Sequence, residues 1–204
     1  MGRSAKVWVC TGGLPAIVLG RAQRNLPTDP VLPLRRRSGG GGAVLTGPWL
    51  LRAAVRLPPG HVLAGRGPVA AARWFGQVHQ AWLQAQGITD TRLCDGPTVG
   101  HWACFAGRGP GEVMVGDRKM VGITQTWRQR AVLLAAGTLV STPPWHLLCA
   151  ALRRPREEAG TLASVTVSAA ACLGHDVDAG AWADALRHRL ERALLNAEEC
   201  VPPG

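Results

Sequence analysis

The chain has 204 residues, 47% of them hydrophobic and 18% charged, which is enough for one domain with a sizeable core and excludes a disordered chain. A formal charge of +10 points first to nucleic acid, but all but two of the 23 basic residues are arginine, and the chain is rich in Gly, Ala and Pro with no tyrosine. That is the codon bias of a GC-rich genome, so no nucleic-acid partner is expected, although a basic surface suits an acidic protein partner.

Val7–Cys10 and Ala16–Leu19 read as short strands around a Gly-Gly turn. Arg21–Leu34 is polar, holds three prolines and reads as loop. Arg35–Gly42 is a basic tripeptide running into a serine and four glycines, and Leu50–Leu57 is again strand-like. Val69–Gln86 carries Ala70, Trp74, Phe75, Val78, Trp82 and Leu83 near helical spacing, with Gly87 as its C-cap. Glu112–Ile123 predicts two strands about the two-residue turn Gly116-Asp117. Ala131–Val140 predicts a strand or strand-turn-strand, and Pro143–Leu152 a short helix. The stretch from Leu162 to Leu173 is ambiguous, whereas Ala179–Glu198 is an amphipathic helix with Trp182, Leu186, Leu190 and Leu194 on one face. Strands and helices without regular alternation predict an α+β fold, a mixed β-sheet with flanking helices.

The six cysteines, at 10, 94, 104, 149, 172 and 200, contain no CxxC pair and no zinc-like spacing, so no metal site is expected. Thr11–Pro15 interrupts the first apolar stretch, so no signal peptide is read. No run approaches the roughly 20 apolar residues that span a bilayer. Free thiols, no membrane association and a cytoplasmic location are the expectation.

Three segments can carry chemistry. Consecutive glycines at Gly39–Gly42 expose backbone N–H groups, and Arg35, Arg36 and Arg37 add donors for phosphate or carboxylate. Such a run also makes linkers, but its place between two strand-like segments favours a ligand loop. Lys119 shares a strand face with Val121 and Ile123 by the two-residue period. An ammonium there is costly without a partner, which suggests a lysine aimed into a pocket; the alternative is an edge-strand lysine guarding against aggregation. Cys104 precedes the turn-rich Gly107–Gly111, where Arg108 or Lys119 could favour its thiolate; the alternative is a small core residue.

Together these segments resemble the lipoate–protein ligase and octanoyltransferase family. Pro15–Gln23 is similar to its early P-x-hydrophobic-G-R-x-Q element, Arg35–Val44 to its arginine-pair and glycine loop, Gly116–Gly122 to its lysine strand, and Ala136–Leu139 to its Gly-Thr element. The resemblance implies a biotin/lipoate protein ligase-like catalytic domain over residues 1–204, N-terminally shortened and without a C-terminal accessory domain. It implies that Arg36, Arg37, Gly40, Gly41, Gly42 and Gly122 bind the activated acyl group, with Arg35/Arg36 the alternative pair, and that Lys119 contacts the acyl carbonyl or phosphate. Cys104 falls where cysteine-dependent octanoyltransferases of this branch place their nucleophile.

The implied activity is transfer of an octanoyl or lipoyl group to a lysine of a lipoyl carrier domain through a Cys104 thioester, with no cofactor required. The alternatives are an ATP- and Mg-dependent ligase working through a lipoyl-adenylate, and a non-catalytic relative that binds an acyl chain or carrier domain. Thr46–Leu50 stands where the family has His-Asp-x-Gly-Asn, which favours the thiol route. The implied partners are lipoyl domains of 2-oxoacid dehydrogenases or the glycine cleavage H protein, with acyl carrier protein as donor.

Overall fold

A computed structural model of the chain describes residues 4–24 and 31–199. Cys200 and the middle of the expected Arg21–Leu34 loop lie outside the described residues. In chain order the elements are β1 (Lys6–Cys10), β2 (Ala16–Leu19), β3 (Leu34–Arg36), β4 (Val44–Thr46), β5 (Leu50–Leu57), α1 (Val62–Gly65) and α2 (Pro68–Ala85). There follow β6 (Thr91–Leu93), β7 (Val113–Val115), β8 (Arg118–Arg128), β9 (Ala131–Leu139), α3 (Trp145–Ala151), α4 (Glu158–Ser164), α5 (Ala169–Leu173) and α6 (Ala179–Glu199).

The strands form two sheets. The larger has the order β1-β5-β9-β8-β7-β6 and is antiparallel throughout; the smaller, β3-β2-β4, pairs β2 with β3 in parallel and with β4 antiparallel. The expected α+β architecture, mixed strands with flanking helices, is thus realised by splitting the strands between two layers.

The period of two in β5 and β9 explains what each face of the larger sheet meets. Leu51, Ala53, Val55 and Leu57 of β5, with Val132, Leu134 and Ala136 of β9, join the core formed with α2 and α6. Phe75, Val78 and Trp82 come from α2; Trp182, Leu186, Leu190 and Leu194 come from α6. Burying a side chain of this size contributes about 2 kcal/mol, so these helices fix the sheet from one side and leave the other for the small sheet.

Helix α2 ends as its sequence predicts. Gly87 has φ +93, its N–H donates to Gln84 O, and the Ile88 N–H donates to Leu83 O at 3.0 Å. This is the glycine-closed helix end in which residues flanking the turn also meet through apolar contact. Ala131–Leu139 is one continuous strand, and the ambiguous Leu162–Leu173 stretch contains the end of α4 and all of α5. The Gly116-Asp117 turn joins β7 to β8 as expected, but β8 runs on to Arg128. Strands β3, β4 and β6 have three residues each, too short to show a period.

His79 sits on the buried face of α2. Its Nδ1–H donates to Phe75 O at 2.8 Å and its ring meets Phe75 edge-on, 4.5 Å between centroids. Burial lowers its pKa to about 4, against the Phe75 hydrogen bond that favours the charged form. The unfolded chain therefore takes a proton near pH 6.5 that the folded chain refuses until about pH 4. Stability held at neutral pH is lost as pH falls through that window, by about 2 kcal/mol between pH 7 and pH 5. Urea denaturation at the two pH values should show this drop in the wild type and a flatter profile in His79→Leu.

Candidate functional site

The glycine run lets two backbones touch. The Ala43 N–H donates to Trp102 O at 2.6 Å and the Cys104 N–H to Ala43 O at 2.8 Å, a parallel bridge between Ala43 and Ala103. A Cβ on Gly42 would lie 2.4 Å from His101 O and 2.7 Å from Cys104 N, so no side chain fits there. Gly41 has φ +90, a conformation L side chains rarely adopt. The run is a close-approach element that seats the Cys104 loop, and Cys104 opens the short helical turn Cys104–Ala106.

The two arginines divide their work. Arg37 donates from Nη2 to Gly40 O and Gly42 O, both 2.7 Å, and from Nη1 to Val18 O at 3.2 Å, bracing the glycine loop from inside. Arg36, for which an acyl contact is the expectation, donates from Nη1 to the carbonyls of Gly20, Arg21 and Gln23 and so holds the turn after β2. Gln23, which the sequence marked only as part of a motif, links that turn to the Cys104 loop: its Oε1 accepts from Gly20 N–H and its Nε2 donates to Trp102 O at 3.1 Å.

Lys119 is 1% exposed. Its Nζ donates to Cys104 O at 2.7 Å, Gly107 O at 2.6 Å and both Glu112 oxygens at 3.0 Å. All three ammonium donors are therefore used inside the protein. The residue is an interior lysine and not an edge guard. Glu112, which sequence reasoning missed, accepts further bonds from the Gly109 N–H at 2.9 Å and the Ile123 N–H at 3.3 Å. A buried ion pair is tolerable only with such full satisfaction. The signal available was the cost of an ammonium on an apolar strand, which demands a carboxylate, and Glu112 stands at the start of the hairpin that holds Lys119.

Between the two sheets lies a cavity of about 260 Å³. Its floor consists of two transverse rows of cross-strand neighbours, Gly122–Gly137–Arg52–Cys10 and Thr124–Ala135–Ala54–Trp8. The small residues Gly122, Ala135 and Ala54 leave the space open, while the Leu50 side chain packs against Gly137. Val18, Val44 and Thr46 of the small sheet close it from above, and Phe105 and Arg37 line it near Cys104. A second cleft, about 300 Å³, is bordered by Gly40, Gly41, Gly42, His101 and Gly107–Pro110. Cys104 lines both spaces.

Burial pushes the Cys104 thiol above its usual pKa; Lys119 and Arg37 pull it down, and Glu112 adds to the rise. The expected activation by nearby cations thus comes from Lys119 and Arg37, while the Arg108 guanidinium donates to Asp117 O. It does not outweigh desolvation, so the resting thiol is protonated at neutral pH. Thr46–Leu50 is a closed turn: Thr46 Oγ1 donates to Ala16 O at 2.9 Å and the Trp49 indole N–H to Leu45 O at 3.1 Å. Among the described residues no group of three or more His, Cys, Asp or Glu is placed to hold a metal, and no helix is long and apolar enough to cross a membrane.

Replacing Lys119 by Met should cost about 3–5 kcal/mol, because the Glu112 carboxylate stays buried without its partner. The double variant Lys119→Met, Glu112→Gln should recover part of that loss in chemical denaturation. Equal losses in single and double variants would contradict the pairing as the source of the cost.

No family model matches the chain, and no curated protein matches it in sequence. Solved structures do match. A lipoate–protein ligase A bound with ATP superposes with a TM-score of 0.70 at 19% identity, covering 95% of this chain and 74% of that one. A putative lipoate protein ligase from Thermoplasma acidophilum with bound lipoic acid gives 0.69 at 21%, covering 96% and 73%. A bipartite lipoate protein ligase of the same organism, described with its E2 lipoyl domain, gives 0.63 at 18%, covering 96% and 72%. Likeness at these identities speaks for the fold: the chain has the α+β fold seen in these lipoate–protein ligases and in a biotin protein ligase, the fold its motifs implied.

Proposed function

We propose that the chain is an acyltransferase that moves an octanoyl or lipoyl group onto a lysine of a lipoyl carrier domain, with Cys104 as the nucleophile. The observation that carries this reading is the position of Cys104, where an apolar cavity and a glycine-walled cleft meet. A thioester at Sγ can lay its chain along the floor rows, which cross three inter-strand spacings, about 14 Å, while its carbonyl stays at the cleft. Gly40, Gly41, Gly42 and Gly122 border these spaces without side chains to obstruct them, and Arg37 holds the loop.

In the first step the Cys104 sulfur attacks a thioester carbonyl of an acyl donor such as acyl carrier protein. A new S–C bond forms, the donor's C–S bond breaks, and the leaving thiolate takes the Cys104 proton. In the second the carrier lysine's amine attacks the same carbonyl. The amide forms, the Cys104 S–C bond breaks and the amine proton returns to the sulfur. An amide is more stable than a thioester, so the transfer needs no ATP.

The second reading, an ATP- and Mg-dependent ligase working through a lipoyl-adenylate, draws support from the ATP-bound ligase of the same fold. Against it, Arg37 and Lys119 direct their donors to protein oxygens, and Thr46 and Trp49 bond back to Ala16 and Leu45 within the fold. Incubation with octanoyl-acyl carrier protein should add an octanoyl mass that hydroxylamine removes and Cys104→Ser abolishes. A wild-type chain that stays unmodified yet acylates a lipoyl domain from free lipoate and ATP is a ligase. Inactivity with both donors supports a binding relative.

A further inference from the structure

The wall that carries Cys104 has a second side. His101 faces the glycine cleft, whereas Trp102 faces a separate cleft of about 450 Å³ bordered also by Gln23, Arg24, Arg153 and Arg154. Three arginines therefore border one hollow together with Trp102, which lies two residues along the chain from the candidate nucleophile.

Two features show that this hollow is built. Helix α3 closes with the Arg153 N–H donating to Ala150 O at 3.2 Å and the Arg154 N–H to Cys149 O at 2.8 Å, the hydrogen-bond pattern that usually places glycine at the turn. Here the turn residue is Arg153 at φ +52, the only non-glycine residue with positive φ among the described residues. The chain tolerates about 1 kcal/mol of backbone strain to keep an arginine at this turn. Separately, Arg154 lies over the Trp102 ring, 4.8 Å from its centroid, and Trp102 is itself fixed by its indole N–H to Glu158 and its carbonyl to Gln23. Neither Arg153 nor Arg154 forms an ion pair with a described carboxylate.

We propose that this arginine cleft binds a phosphate diester or monoester, and that its source is the phosphopantetheine arm of the acyl donor. Arginine forks match phosphate oxygens two at a time. A donor whose thioester sits at Cys104 keeps its phosphate outside the apolar cavity, and the basic hollow on the other side of the Trp102 segment offers that charge a seat. The idea rests on the thioester reading above.

Binding, measured by calorimetry without any chemistry, keeps the two ideas separable. The wild-type chain should bind 4′-phosphopantetheine more tightly than pantetheine, and Arg154→Gln and Arg153→Gly should each weaken the former about ten-fold. Arg153→Gly also relieves the strained turn, so a loss of binding at undiminished stability excludes misfolding. Equal binding of both compounds, or variants that bind phosphopantetheine like wild type, would overturn the proposal. Variants that lose ATP binding alone would overturn it in favour of a nucleotide. Failure of the thioester reading shows separately, as no acylation of Cys104 by any donor.

Discussion

The ammonium of Lys119 is the constraint on which the site depends. Buried in the hairpin, it has three donors to satisfy and finds Cys104 O, Gly107 O and the Glu112 carboxylate. Those acceptors lie on the segment before β7, so meeting the lysine's own requirement folds that segment down onto β8. On the other side the Ala43 backbone clasps Trp102 and Cys104, which the absence of a side chain at Gly42 allows. Cys104 is thus positioned from two directions, by the Lys119–Glu112 pair on one side and by the Ala43 backbone on the other.

The second constraint is what the larger sheet leaves out. Its helix-covered face is filled with large aliphatic and aromatic residues. The opposite face carries Gly122, Gly137, Ala135 and Ala54 in register across β8, β9 and β5. Interiors normally fill such space, because open volume forfeits contacts and stability. Keeping four small residues in cross-strand register beside a protonated, desolvated thiol suits an apolar ligand joined to that sulfur.

Much of this was legible in the sequence, for identifiable reasons. Helix α2 announced itself through apolar spacing and Gly87, and the β7–β8 turn through Gly116-Asp117. The glycine run, Lys119 and Cys104 were singled out by chemistry and by family resemblance, and the structure brings Cys104, Gly40–Gly42 and Gly122 around adjoining spaces. The rest needed three dimensions. Met120 and Val121 are both core residues beside the irregular register at Val113/Met114, so a simple alternation could not say where Lys119 points. Arg36 and Arg37 are adjacent in sequence, yet one braces a surface turn and the other the cavity wall. Glu112 had no motif of its own.

The central claim is that an acyl group on Cys104 runs from the glycine cleft into the cavity between the sheets. A crystal structure of the chain with an octyl disulfide on Cys104 tests this directly. The account predicts an extended alkyl chain over Gly122, Gly137 and Arg52, ending beside Trp8 and Cys10. An alkyl chain lying instead along Gly40–Gly42 or out in solvent, with the cavity unchanged, would contradict it.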